Sequence, residues 1–129
     1  MSDIPDQPPP VPRPDLVPIW ELVVSDMLTR HPASALSSDD FAACVGRVVE
    51  DMRTRDRVGR ERYGVPLTTG NGRDHLVDLY QELLDATAYS RAEIEESGSV
   101  PVRFLYSRLL DDLLLVRALI NDRTARRNM

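Results

Sequence analysis

The stretch Val100-Pro101-Val102-Arg103-Phe104-Leu105-Tyr106-Ser107-Arg108-Leu109-Leu110-Asp111-Asp112-Leu113-Leu114-Leu115-Val116-Arg117-Ala118-Leu119-Ile120 decides the fold. Val102, Tyr106, Leu109, Leu113, Val116 and Ile120 follow one another at spacings of 4-3-4-3-4, the seam of a helix that packs like a coiled coil. Phe104, Leu115 and Leu119 fall on the far side, so the helix is apolar almost all round and calls for cover on two sides. One side can be met inside a bundle. In so short a chain the second is met most economically by another copy, so the reading is a homo-oligomer, a dimer or tetramer, through the 102–120 helix; the alternative is a central place in one bundle.

Working outward, Ser97-Gly98-Ser99 closes a preceding helix that begins near Arg73 and runs to Glu96. Before it, Gly64-Val65-Pro66 and Thr68-Thr69-Gly70-Asn71-Gly72 break the chain after a helix spanning Ser37 to Arg62 or Tyr63, with Ser37 and Asp40 at capping-box spacing. A first helix is expected from Asp15, as its cap, to Arg30, where His31-Pro32 stops it. No pair of strands is visible. The expectation is an all-α, four-helix bundle-like fold: one domain over 15–124, an Arg-rich tail at 125–129 that frays, and a disordered arm at 1–14, which carries six of the ten prolines. Val23-Val24-x-Asp26-Met27-x-Thr29-Arg30 recurs as Val48-Val49-x-Asp51-Met52-x-Thr54-Arg55, two copies and therefore no solenoid.

Composition removes several function classes. At 129 residues, 42% hydrophobic and 29% charged, the chain has globular composition. A net charge of −5 speaks against binding nucleic acid by phosphate neutralisation, although all sixteen basic residues are arginine. No apolar run approaches the roughly twenty residues that a membrane helix needs, and no signal-peptide pattern opens the chain, so the expected setting is cytoplasmic. Cys44 is alone, which excludes an internal disulfide and a cysteine-based zinc site. Glu-x-x-His pairs of the ferritin-like kind, a Walker loop and a nucleophile elbow are all missing.

What remains is acidic. On the third helix Asp74, Asp78, Glu82 and Asp85 fall within an arc of roughly 80°, opposite Leu76, Leu79, Tyr80 and Leu83. Such a row repels itself on a bare helix, and a divalent cation would relieve it; a solvated polar face is the plain alternative. On the second helix the apolar stripe Phe41, Val45, Val48, Met52 steps onto Asp56, so charge stands where a core residue is due. Asp56 either pairs with an arginine such as Arg60 or belongs to a site together with Asp51 and Arg55. Gly70-Asn71-Gly72-Arg73 directly precedes a helix, where free N–H groups and an arginine suit a phosphate, though turn-and-cap chemistry accounts for it too.

Two segments, Val49-Glu50-Asp51-Met52-Arg53-Thr54-Arg55-Asp56-Arg57-Val58-Gly59-Arg60-Glu61-Arg62-Tyr63-Gly64-Val65-Pro66-Leu67 and Asn71-Gly72-Arg73-Asp74-His75-Leu76-Val77-Asp78-Leu79-Tyr80-Gln81-Glu82-Leu83-Leu84-Asp85, resemble the small MazG-like proteins of bacteriophage and actinobacteria, over about residues 48–91. The resemblance implies an all-α nucleoside triphosphate pyrophosphohydrolase, working as a dimer or tetramer. In that superfamily Glu-Glu-x-x-Glu on one helix and Glu-x-x-Asp on the next hold Mg²⁺, with Mn²⁺ as a substitute ion. Glu82-x-x-Asp85 matches the second motif; the first reads Glu50-Asp51-x-x-Thr54, with threonine at the third position and Asp56 or Asp78 left to replace the lost ligand. The implied catalytic set is Glu50, Asp51, Glu82 and Asp85, with Asp51, Asp56, Asp78, Glu82 and Asp85 around the metal and Arg55, Asn71 and Arg73 on the substrate phosphates. The reading from a different class is a catalytically lapsed helical module that oligomerises or binds a partner.

Overall fold

A computed structural model describes residues 4, 6–31 and 38–129, which form helices joined by loops and turns, with no strand among them. Helices α1 (Ile19–Leu28), α2 (Ser38–Tyr63), α3 (His75–Ser97) and α4 (Val100–Arg127) follow one another along the chain. Inside the span read as one domain, the chain divides between Arg73 and Asp74 into two compact units, Gln7–Arg73 and Asp74–Met129, the latter joined by Ile4 and Asp6.

In the unit 74–129, α3 turns back on itself through Gly98, whose φ of 65° is the left-handed conformation that closes a helix, and its N–H donates to the Ile94 carbonyl at 2.8 Å. Ser99 caps α4 by accepting from the Val102 N–H at 3.3 Å. The two helices pack along the α4 seam. Val116 and Ile120 are buried with Val77, and Leu76, Tyr80, Leu83 and Ile4 pack against them. Val102, Tyr106, Leu109 and Leu113 are half-buried, while Phe104 and Leu115 stand 69% and 60% exposed. One of the two sides that the helix needs covered, the seam, thus packs on α3 of the same chain. A 4-3 seam needs a facing helix, and the two-residue link at Gly98-Ser99 supplies one before any second chain can.

Helix α4 also runs on to Arg127, past the expected end near Arg123. Arg126 pairs with Asp122 at 3.2 Å, and arginines in a last turn complement the helix dipole. The residues expected to fray therefore continue the helix.

In the unit 7–73, α1 packs on α2, with Val49 the buried apolar residue and Trp20, Val23, Val24, Met27, Phe41, Val45, Val48 and Met52 half-buried. Helix α1 is shorter than expected. Pro18 is its N-cap, and Asp15 caps nothing: it accepts from Arg13 Nε and Nη2 at 3.2 and 3.1 Å in a turn ahead of the helix. Ser37, expected to cap α2, lies outside the described residues.

Part of the proline arm, expected to be loose, runs antiparallel to the segment 67–73. Pro8 accepts from Arg73 Nη1 at 2.7 Å, Val11 N–H donates to the Asn71 carbonyl at 2.6 Å, Arg13 Nη1 donates to the Gly70 carbonyl at 3.2 Å, and Ile19 N–H donates to the Leu67 carbonyl at 2.7 Å. Five prolines between residues 8 and 14 have a fixed φ and so lose little entropy on docking.

Candidate functional site

The acidic row on α3 splits in two. Asp74 is the N-cap: its Oδ1 accepts from the Leu76 and Val77 N–H groups at 3.1 and 3.3 Å, and its Oδ2 pairs with Arg123 of α4. Burial pushes the Asp74 carboxyl up. The hydrogen bonds from Arg123 and the Val77 N–H, the Arg123 charge and the Leu76 N–H together outweigh that and hold it below its ordinary value. Asp74 is therefore a structural anchor. Asp78, one turn on, is half-buried and already partnered.

Glu82 and Asp85 differ. Both are exposed, they sit three residues apart on one face, and neither makes an ion pair or a side-chain hydrogen bond among the described residues. Two hard oxygen donors one turn apart, not neutralised by any arginine, are what a Mg²⁺ ion uses when it keeps several waters and takes its other contacts from substrate phosphates.

On α2, Glu50, Asp51 and Arg55 are exposed and free of side-chain partners among the described residues. Thr54, in the third position of the altered motif, accepts from Arg57 Nη2 at 3.4 Å. Asp56 is 21% exposed and accepts from Arg60 Nε at 2.9 Å, the ion-pair alternative read from the stripe. That hydrogen bond, against a smaller cost of burial, raises the Arg60 guanidinium above its ordinary value, with the charges of Asp56 and Glu21 adding to it. Among the described residues, no three His, Cys, Asp or Glu side chains gather closely enough to hold an ion by themselves.

Asp56 also explains why charge interrupts the α2 stripe. It lines an open groove of about 540 Å³ between α1 and α2, with Trp20, Val24 and Leu28 as the apolar wall and Glu21, Ser25, Thr29 and Arg53 completing it. The stripe meets solvent there because α1 ends at Leu28.

The loop expected to hold phosphate is organised by its own side chains and by the arm. Asn71 Oδ1 accepts from the Arg73 N–H at 3.1 Å, and Gly70 and Gly72 adopt φ of 63° and 85°. A Cβ at Gly70 would lie 2.7 Å from Arg13 Nη1, and one at Gly72 3.3 Å from Val11 Cγ2, so the arm's close approach needs glycine twice. Thr68 and Asn71 are the two most buried side chains, each 1% exposed, and Thr68 Oγ1 and Asn71 Nδ2 have no hydrogen-bond partner among the described residues. Each such atom costs about 1–3 kcal/mol.

Reading by periodicity missed three contributors. Thr68 gives no signal, because a threonine in a loop is unremarkable. Arg13 is hidden in a proline run that looks solvated. The Asp74–Arg123 pair spans 49 residues and follows no local rule. Comparison of the chain with protein-family models, with characterised proteins and with solved structures finds no match.

Proposed function

We propose that the chain is a Mg²⁺-dependent (deoxy)nucleoside triphosphate pyrophosphohydrolase of the MazG-like kind, acting in the cytoplasm on the nucleotide pool. The observation that carries this reading is the exposed, unneutralised Glu82/Asp85 pair on the polar face of α3, next in sequence to a Gly70-Asn71-Gly72-Arg73 loop with phosphate-binding chemistry. The residues fit the ion. Their donors are oxygen alone, and two carboxylates suffice where substrate phosphates complete the shell.

The reaction adds water to the α-phosphorus and breaks the bond from it to the bridging oxygen of the β-phosphate, giving nucleoside monophosphate and pyrophosphate. Bound at Glu82 and Asp85, Mg²⁺ would acidify the attacking water and offset charge on the departing pyrophosphate. Glu50 and Asp51 are carboxylates able to accept the proton that the water loses. Arg55 and Arg73 carry the guanidinium groups suited to phosphate oxygens. Asp56, engaged by Arg60, and Asp78, already partnered, fill the remaining places of the proposed ligand set less readily.

The test is pyrophosphate release from a panel of nucleoside and deoxynucleoside triphosphates with Mg²⁺, with Mn²⁺ and with neither. Turnover that requires the ion is expected from the wild type, with loss of at least a hundredfold in Glu82→Ala and in Asp85→Ala, about 2.7 kcal/mol in barrier. Turnover that survives both changes, or occurs without the ion, removes the assignment.

A second reading is favoured by a different surface. Phe104, Leu115 and Leu119 share the outer face of α4, and Leu114 beside them is 72% exposed. A cluster of this kind marks a contact face, so a lapsed module that self-associates through the outer side of α4 accounts for it. Sedimentation of Leu115→Glu decides: a wild-type oligomer that dissociates supports that face, and a wild-type monomer removes it.

A further inference from the structure

We propose that residues 8–13 are a displaceable strap over an oxyanion cradle formed by Thr68, Asn71 and Arg73, so that the chain's own arm competes with phosphate for this loop. Hydrogen bonds that hold the strap include Arg73 Nη1 to the Pro8 carbonyl, Val11 N–H to the Asn71 carbonyl and Arg13 Nη1 to the Gly70 carbonyl. Arg13 is fixed for its part by both oxygens of Asp15. Glycine at 70 and 72 lets the strap settle against the loop.

The docked arrangement leaves the loop's chemistry unspent. Thr68 Oγ1 and Asn71 Nδ2 are buried without partners. Both can donate and so call for an acceptor, and the strap carbonyl that reaches this loop, that of Pro8, is taken by Arg73 instead. Meanwhile the Pro8 carbonyl, a neutral acceptor, sits on the Arg73 guanidinium, a position where a charged phosphate oxygen makes the stronger bond. A hydroxyl, an amide N–H₂ and a guanidinium on one six-residue loop are the donor set of a phosphate or pyrophosphate group. An anion that displaces the strap replaces the Pro8 carbonyl on that one N–H and offers the two orphaned groups an acceptor.

The inference rests on reading this loop as the phosphate-holding element, but it is tested by binding alone, without metal or turnover. Sodium pyrophosphate is titrated calorimetrically into the full chain as wild type, as the Val11→Pro/Arg13→Ala double variant, and as Thr68→Val. Proline at 11 suits an extended backbone, deletes the donor and sets its ring Cδ against the Asn71 carbonyl, so the strap loses that contact. Loosening the strap is expected to raise pyrophosphate affinity about three- to tenfold, the value of one or two neutral hydrogen bonds. Thr68→Val is expected to raise the melting temperature by removing a buried unpaired hydroxyl and to lower pyrophosphate affinity about threefold. Equal or weaker affinity in the double variant overturns the strap. Should that variant fail to fold, Thr68→Val decides alone: a higher melting temperature with unchanged affinity makes the hydroxyl a packing defect and ends the proposal. Tighter binding without any pyrophosphate release leaves the strap standing and removes the enzyme; ion-dependent release with unchanged affinities does the reverse.

Discussion

The unit 74–129 is held by neighbours and the unit 7–73 by strangers in sequence. In the hairpin of α3 and α4, each helix start has a side-chain cap from its adjoining residue, Asp74 or Ser99, and Gly98 makes the turn between them. Its core, Val77, Val116 and Ile120, falls on stripes of helical period. In 7–73, helix α1 has no side-chain cap, Val49 is its one fully buried apolar residue among those described, and the two most buried side chains are polar and belong to a loop. Periodic packing built the first unit; hydrogen bonds from arginine side chains and backbone N–H groups, between an arm and a loop some sixty residues apart, complete the second. The lesson is where stability and adaptability reside: segments able to open locally are those with little buried apolar surface.

The comparison breaks most visibly at Ile120. Buried against Val77 and Val116, it should cost about 2–5 kcal/mol when cut to alanine. Leu22→Ala on α1, at a residue half exposed, should cost under about 0.5 kcal/mol. Urea denaturation of the two variants gives both numbers. Equal losses would show that α1 carries as much of the fold as the α3–α4 seam.

Asp74 sharpens the same contrast through pH. Asp74→Ala removes an N-cap, worth about 0.5–2 kcal/mol, and leaves Arg123, itself about a third exposed, with little further loss. Because the folded carboxyl lies below its ordinary value, its contribution is fully present above the unfolded pKa of about 3.9 and is lost as pH falls through the folded value. Stability against pH should therefore fall more steeply below about pH 4 in the wild type than in Asp74→Ala. Parallel curves would mean that neither the cap bonds from Leu76 and Val77 nor the pair with Arg123 favour the ionised carboxylate in solution.

How much of this is legible in the sequence follows the same division. The seam of α4 announces itself because Val102 to Ile120 obey a helical period, and its stop and start signals lie within three residues of the turns they make. What the period cannot say is which body fills the facing position, and along the seam that body is α3 of the same chain. Asp74 reads as one more acid in a row, yet its place directly before the helix makes it a cap, a role fixed by one residue of offset. The arm is illegible for a physical reason: proline deletes the donors that patterns rely on, and its docking depends on Arg73 and Asn71, far along the chain. Glu82 and Asp85 were placed on a polar face by period alone, and there they lie.

The smallest effect is expected at Asp56, and it separates tolerated charge from needed charge. The residue continues the stripe of Phe41, Val45, Val48 and Met52 but opens onto the groove beside Trp20 and Arg53, where Arg60 holds it at 2.9 Å. An i,i+4 pair this accessible contributes only about 0.3–0.5 kcal/mol, and leucine at the same position gains contact with the apolar wall. Asp56→Leu should thus shift stability by less than about 0.5 kcal/mol in either direction, while ion-dependent pyrophosphate release stays within about twofold of wild type. Thermal unfolding and the release assay read the two quantities independently. A fall in release with stability intact would return Asp56 to the metal set and make Arg60 its resting partner. A large loss of stability would mean instead that the α1–α2 unit leans on this ion pair, and the contrast between a packed hairpin and a loosely held partner unit would need a polar term at its centre.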